Sequence, residues 1–562
     1  MVSAIPPPQP VSANPLAAVP ATATVNPGKS ICSTSAKVPY RDVCEDGMFS
    51  PIPDQSHLRP VIAPTSPISD AGRADRADRA QIQFVHLPVE IHEVILDHIF
   101  GKKLPANSGG FPAENWSKAL RHPRRKSLSN LALTCRLWNE LVQSRIYRHI
   151  KVKGTKDELV SCARWFMNHP HLIRLVRHIE IWIPVWGDRA HQPLRGADVE
   201  RQRAVAAATA LVPSLGFGIH YHRSIQNASL EEIFALIRKL FSAAQVLTLE
   251  GGHCRNSPMV QHFRHEFVAS QTYSTRRLPA LENIRTLVMR GSWNLMRDSE
   301  AWRTIAQALP AMTEWHCTYG SPHMGAYFSM MHVLMQPLTP IRHLNLSLDG
   351  FYNSADGLLG EIYLIAGNFP LVCRILAEAA LHLESFSYTG RACWYLFEAM
   401  KQGAARLGSL CQLRSLDIIV KGCCRKADPR AVDVEPGPDL CGITHMDFIQ
   451  AFETMIIKAI GCLAGIPTLK YVRIRYVDLD SICLHLNPYF ELSNNECTGL
   501  WSPEIVAALS TSRPSAKFIA LEDGLAAQYD ENQQVVGAMM PHVRPRSIQA
   551  SMYSLIADSS NS

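Results

Sequence analysis

Two short motifs in this chain have almost the spacing that catalytic or metal chemistry needs. "HEVIL" at residues 92–96 begins like a zinc-protease helix, in which two histidines four residues apart bind the metal, but Leu96 occupies the second position. "PGKS" at 27–30 ends like a phosphate-binding loop, yet Ala23 replaces its first glycine. A GxSxG nucleophile motif does not occur. We therefore predict no catalytic residues.

The paired histidines also lack partners for metal binding. His220 and His222, and likewise His262 and His265, have no cysteines or carboxylates at the spacings of zinc sites. We interpret them as surface or core histidines. The sequence predicts no metal, no cofactor and no enzyme activity.

Composition is typical of a soluble globular protein. The 562 residues are 47% hydrophobic and 19% charged, with a formal net charge of +7. No apolar run reaches the roughly 20 residues needed to cross a bilayer, and the first residues have no secretory pattern. The fifteen cysteines are odd in number and scattered, as expected for small buried residues in a reducing compartment. We expect a cytoplasmic or nuclear protein without membrane contact.

One basic stretch, "RHPRRK" at 121–126, has three interpretations: a nuclear-import signal, a phosphate-contacting patch or a solvated loop. No aromatic residues are interleaved with it to stack on bases. A nucleic-acid partner is therefore not expected.

Patterning divides the chain into four parts. Residues 1–80 are rich in Pro, Ala and Ser and predict a disordered tail, and residues 530–562 predict a second one. Residues 84–150 predict a small helical domain, and residues 151–529 alternate strand and helix patterns. The expected fold class is α/β.

The small domain is predicted to contain two helices. Leu87 and Pro88 open the first, and Ile91 and Ile95 recur at helical spacing. A second helix is predicted over 127–150. Its apolar residues cover well over half its circumference, so it needs cover on both sides, from the rest of the chain or from a partner. They include Leu131, Leu133, Cys135, Trp138 and Leu141.

These two segments resemble the F-box, the helical motif that docks substrate receptors onto the Skp-type adaptor of cullin–RING ubiquitin ligases. "LPVEIHEVIL" is similar to its opening helix, and "LALTCRLWNEL" to its Val-Cys-Arg-x-Trp-x-x-Leu helix. The connecting segment at 101–127 is much longer than the family's usual connector, an insertion that costs little free energy. The resemblance implies adaptor contacts at Leu87, Pro88, Ile91, Ile95, Leu131, Leu133, Cys135, Trp138 and Leu141.

The longer region carries a repeated pattern, apolar-x-x-apolar-x-apolar, with each copy predicted as a short strand. Three intervals between copies are 28–30 residues, the length of a leucine-rich repeat. Helical patterns lie between the strands, one of them opened by Ser229 and Glu232 as a capping box. The region resembles an irregular leucine-rich-repeat solenoid, although any α/β protein alternates strands and helices. The copies start at 176, 244, 284, 312, 341, 383, 413 and 469.

In such strands the apolar residues face the core and the alternate residues face an open surface. That surface is the largest candidate for binding a target protein. Its candidate residues are Arg290, Asn345, Asp417, Arg473 and Arg475, together with Thr248, Glu250, Thr286 and Ser347.

The resemblance therefore implies a substrate receptor of a cullin–RING ubiquitin ligase. Its helical domain would dock the adaptor, and its repeat region would bind an unknown protein target. The alternative is a repeat scaffold outside any ligase, whose N-terminal helices cap the solenoid.

Overall fold

The computed structural model describes most of the chain beyond residue 86. The predicted tail at 1–80 and the insertion at 101–127 lie outside the described residues. Those residues are 87–100, 131–184, 186–187, 221–222, 226–252, 259–264, 276–319, 324–338, 340–348, 372–422, 442–479, 481–529 and 535–560.

Seventeen β-strands are formed by the described residues. In chain order they are β1 (His149–Lys153), β2 (His178–Trp182), β3 (Trp186–Gly187), β4 (Tyr221–His222), β5 (Val246–Glu250), β6 (Thr286–Arg290), β7 (Glu314–Thr318), β8 (His343–Ser347), β9 (Ser385–Arg391), β10 (Ser415–Gly422), β11 (Tyr471–Tyr476), β12 (Tyr489–Ser493), β13 (Glu496–Trp501), β14 (Lys517–Phe518), β15 (Ala526–Tyr529), β16 (Val535–Met539) and β17 (Ser547–Gln549).

Twelve α-helices are also formed there. They are α1 (Val89–Phe100), α2 (Arg136–Ile146), α3 (Lys156–Asn168), α4 (Pro170–Ile173), α5 (Leu230–Leu240), α6 (Ser299–Gln307), α7 (Met324–Leu334), α8 (Val372–Leu381), α9 (Tyr395–Leu407), α10 (Met446–Leu463), α11 (Pro503–Ser512) and α12 (Ser554–Ser560).

A mostly parallel sheet of thirteen strands organises these elements. Its order is β1-β2-β5-β6-β7-β8-β9-β10-β11-β12-β13-β14, with β17 also paired to β13. Only the β11–β12 and β12–β13 pairings are antiparallel within it. The expected α/β class is thereby confirmed.

The eight predicted strands are confirmed as β2 and β5 to β11, and each lies beside the next in the sheet. Their registers align the repeated apolar positions, so that equivalent residues form continuous buried rows across the strands. One such row is Ile179, Leu247, Leu287, Trp315, Leu344, Phe386, Leu416 and Val472.

The crossover helices cover this apolar side of the sheet. The predicted capping box is confirmed at the start of α5, where Ser229 and Glu232 bond each other's backbone N–H groups. In the core, Trp302 of α6 stacks on Trp315 of β7 with ring centroids 3.7 Å apart. The seven buried cysteines of the described residues also serve as small core side chains, as predicted.

The second predicted helix is shorter than expected. It begins at Arg136 rather than at 127, because Cys135 is extended (φ −158°) and its Sγ accepts the backbone N–H of Trp138 as an N-cap. It ends at Ile146, and the following residues enter β1, a strand that the sequence pattern did not predict. β1 crosses residue 150, the predicted boundary between the helical domain and the repeat region.

The prediction of a disordered tail over 530–562 is wrong for residues 535–560. β17 adds to the sheet beside β13, and Tyr553 and Ile556 are completely buried. Tyr553 also donates a hydrogen bond to the carbonyl of Leu486, 2.7 Å away. The segment is polar in composition, but its apolar residues Tyr553, Ile556 and Ala557 are spaced three or four apart and form one buried face. Composition alone therefore did not predict its order.

Candidate functional site

Helices α1 and α2 form a small apolar core of their own. Leu96, Trp138 and Val142 are buried in it, and this cluster is separate from the main core of the sheet. The Trp138 Nε1–H donates to His92 Nδ1 over 3.1 Å, and Arg145 donates to the Glu93 carbonyl over 3.2 Å. The motif that resembles a zinc site therefore places His92 in packing contact with a tryptophan.

The predicted adaptor-binding residues divide by exposure. Trp138 is buried between the helices, so its side chain is already covered by this chain. Ile91 is 44% exposed and Leu133 is 84% exposed, and both present apolar surface to solvent. Pro88 is exposed, and the others are half-buried. These are Leu87, Ile95, Leu131, Cys135 and Leu141.

Further apolar surface is exposed on α1. Val89 is 46% exposed and Val94 is 50% exposed. Neither was singled out as an adaptor contact from the sequence, although Val94 is three residues from Ile91 and shares its helix face. An exposed apolar patch on a small helical unit is typical of a protein-binding surface.

The other candidate surface is the side of the sheet opposite the helices, here called the polar face. It is formed by the strand residues that alternate with the buried apolar rows. Register places Asn345 of β8 beside Ser387 of β9, and Ser387 beside Asp417 of β10. Short hydroxyl and amide side chains thus occupy the middle of this face.

Three of the predicted target-binding residues meet at one end of the polar face. Asp417 accepts two hydrogen bonds from Arg473, one of them from Nε at 3.1 Å, and also lies 3.3 Å from Arg475 Nη2. The hydrogen bond and charge of Asp417 outweigh the effect of burial and raise the pKa of Arg473. Glu491 of β12 stands beside Arg473 in the sheet and also raises its pKa, so two carboxylates face the two guanidinium groups of this cluster.

The other predicted residues take different positions. Arg290 lies 3.8 Å from Glu180 and 3.9 Å from Glu250, at the opposite end of the face from Asp417. Asn345 and Ser347 are half-buried between the two ends.

Thr248 and Thr286 were expected on the open surface, and this expectation is wrong. Thr248 is 0% exposed and Thr286 is 7% exposed. Thr286 donates to Glu314 Oε2 over 2.8 Å, and His316 Nε2 donates to Glu314 Oε1 over 2.8 Å. Burial raises the pKa of Glu314, but these bonds and the His316 charge outweigh it, so the pKa is lowered overall.

A buried charge network that was not predicted underlies the same end of the face as Arg290. Glu180 is 2% exposed and lies 2.9 Å from Lys151 Nζ and 3.1 Å from His149 Nε2. The ring of His149 stacks on that of His178. His178 Nε2 is hydrogen-bonded to Thr248 Oγ1 over 2.7 Å. The alternation that selected Thr248 also selects Glu180 and His178, but burial could not be inferred from it.

His178 should make folding stability depend on pH. Burial, with the nearby charges of His149 and Arg290 and against the opposing effect of Glu180, lowers the pKa of His178 from 6.5 to about 3. Below pH 6.5 the unfolded chain therefore binds a proton that the folded protein does not. The free energy of unfolding should fall as pH decreases from 6.5 towards 3, by about 1.4 kcal/mol per pH unit.

Urea unfolding at pH 7.5 and pH 5.0 measures this contribution. The wild type should lose about 2 kcal/mol more than His178→Gln between the two values. His171 is exposed, so His171→Gln serves as the matched control and should lose as much as the wild type. Equal losses for all three proteins would contradict the assignment to His178.

Within the described ranges, no cluster of three or more histidine, cysteine or acidic residues is arranged to hold a metal ion. In the same part of the chain, every helix is too short or too polar to span a membrane. Compared with protein-family models and with curated proteins, the sequence gives no match.

Proposed function

We propose that this protein is a substrate receptor of a cullin–RING ubiquitin ligase, in which α1 and α2 form an F-box that docks a Skp-type adaptor. The observation that carries the proposal is the separate small core of these helices with apolar residues left exposed beside it. Ile91, Val94 and Leu133 offer that surface to a partner. The order of "LPVEIHEVIL" and "LALTCRLWNEL" in the sequence supports the same assignment.

The remaining domain would act as an irregular leucine-rich-repeat solenoid that holds the target. Eight motif strands that pair in register, each preceded or followed by helices, support this interpretation. The polar face would contact the target through Arg290, Asn345, Asp417, Arg473 and Arg475. The receptor would perform no bond chemistry itself and would raise the effective concentration of target lysines near the conjugating enzyme.

Adaptor capture should depend on the exposed apolar residues of the helix pair. Ile91→Glu and Leu133→Glu each place a charge on that surface without disturbing the buried Trp138, so binding of a purified Skp-type adaptor should weaken at least about tenfold. Val160→Glu is the control, because Val160 is 57% exposed on α3, outside the helix pair. Titration calorimetry or co-purification measures the effect.

Two outcomes would argue against the receptor. One is that the wild-type protein captures no adaptor. The other is that the Ile91→Glu and Val160→Glu variants capture it equally well.

A repeat scaffold with capping helices is the second candidate function. It is favoured by the direct passage from α2 into the edge strand β1, and by Tyr147, which packs against the main core. In that case limited proteolysis should digest the helix pair and the sheet together. In a docking domain, cleavage should separate residues 87–146 first.

A further inference from the structure

A row of nine residues, seven of them charged, lines the end of the sheet at which the parallel strands begin. Each residue in it stands immediately before a strand, and each after the first donates its backbone N–H to the carbonyl of the previous one over 2.8–2.9 Å. This ladder fixes the residues side by side. The row, here called the basic edge row, is Arg148, Arg177, Gln245, Arg285, Thr313, Arg342, Glu384, Arg414 and Lys470.

The basic edge row has one dominant sign of charge. Six of its residues are basic and one is acidic, a net charge of +5. The acidic residue, Glu384, pairs with Arg342 over 3.2 Å. Among the described residues, Arg177, Arg285, Arg414 and Lys470 have no acidic partner within salt-bridge distance, and all four are exposed.

Like charges crowd the row at the end nearest the helix pair. Burial lowers the pKa of Arg148, and the adjacent charges of Arg177 and Arg145 lower it further. Like-charge crowding of this kind costs folding free energy, and an anionic partner would offset it.

The spacing of the charges selects among anionic partners. Eight strand-to-strand steps of about 4.8 Å give the row a length of roughly 38 Å, or about one net charge per 8 Å. Duplex DNA carries one phosphate charge per about 1.7 Å. An extended polypeptide with an acidic residue at every second position carries one charge per about 6.7 Å, which is close to the density of the row.

We propose that the basic edge row binds an extended acidic segment of a partner protein. The segment would lie across the strand starts, with its carboxylates paired to Arg177, Arg285, Arg414 and Lys470. This surface is distinct from both the helix pair and the polar face. Its occupancy therefore does not depend on whether the protein is a ligase receptor.

A fluorescent peptide of six Glu-Ser repeats tests the proposal, since its twelve residues extend to about 40 Å. Fluorescence anisotropy at about 50 mM salt should show binding to the full-length protein, and binding should weaken as salt is raised. The matching Gln-Ser peptide should not bind. Equal binding of the two peptides would overturn the proposal, as would tighter binding of a twelve-nucleotide DNA.

Variants distinguish peptide binding at the basic edge row from nonspecific attraction to the protein's net charge. Combining Arg285→Gln, Arg414→Gln and Lys470→Gln should weaken peptide binding about tenfold, because three exposed ion pairs are lost. Exchanging lysine and arginine at the same three positions (R285K, R414K and K470R) keeps the charges and should preserve peptide binding.

The matched control removes three exposed basic residues that lie outside the row, at the start of α3, within α9 and in β14. Lys156→Gln, Lys401→Gln and Lys517→Gln produce the same change in net charge, and binding should stay within about twofold of wild type. Equal losses in the two glutamine triple variants would overturn the assignment to the row. The unfolding midpoints of the variants confirm that each is folded.

Discussion

Replacing Gly291 by alanine should lower the free energy of unfolding by about 3 kcal/mol or more. Gly291 has φ +61°, and a Cβ atom there would lie 1.7 Å from the Gly252 carbonyl oxygen. The left-handed conformation alone costs a non-glycine residue on the order of 1–3 kcal/mol. The backbone overlap adds to this, because the Gly251 N–H donates to the Arg290 carbonyl over 2.8 Å and holds the two chain segments together.

Urea unfolding monitored by circular dichroism measures this loss. Gly461→Ala is the control: Gly461 lies within α10, and a Cβ atom there would meet nothing within 4 Å. That variant should be about 0.5–1 kcal/mol more stable than wild type, because alanine favours the helix. A Gly291→Ala protein within 1 kcal/mol of wild type would show that the two segments can move apart freely.

The close approach at Gly291 lies next to the polar face. Gly291 follows Arg290 at the end of β6, and Gly251 follows Glu250 at the end of β5. Asn294 strengthens the same junction by donating to the Gly251 carbonyl over 2.8 Å. Loosening it should therefore displace the Glu250–Arg290 pair as well as lower stability.

The parallel strands could be predicted from sequence because their apolar positions repeat. Each copy places a buried residue such as Leu247 or Leu344 in the same register as the next copy. The helix at Ser229 could also be predicted, because its capping box is a local signal. These features depend on neighbouring residues along the chain.

Other features depend on contacts that no local pattern encodes. Alternation assigned Thr248 and Thr286 to an open surface, but the charge network around Glu180 and the Glu314 cluster bury that end of the polar face. β1 was missed because its first two residues were included in the helix predicted over 127–150, although its five residues alternate in burial as a strand does. The grouping of Asp417 with Arg473 and Arg475 required only the parallel pairing of β10 and β11, which the repeat pattern implied.

Replacing Trp138 by alanine should unfold the helix pair while the sheet stays folded. A buried tryptophan replaced by alanine costs about 3–5 kcal/mol, and among the described residues of that core only Leu96 and Val142 would remain fully buried. The variant also loses the hydrogen bond to His92. Because this core is separate from the main one, the loss should remain local.

Limited proteolysis with mass spectrometry distinguishes local from global unfolding. Cleavage within residues 87–146 should accelerate at least tenfold in Trp138→Ala, whereas fragments beginning near β1 should resist as in wild type. Trp165→Ala is the matched control, because Trp165 is 37% exposed and lies outside the helix pair. If Trp138→Ala instead accelerated cleavage throughout the sheet, the helix pair would be integral to the main fold. That outcome would favour the scaffold in which these helices cap the solenoid over an independent docking unit.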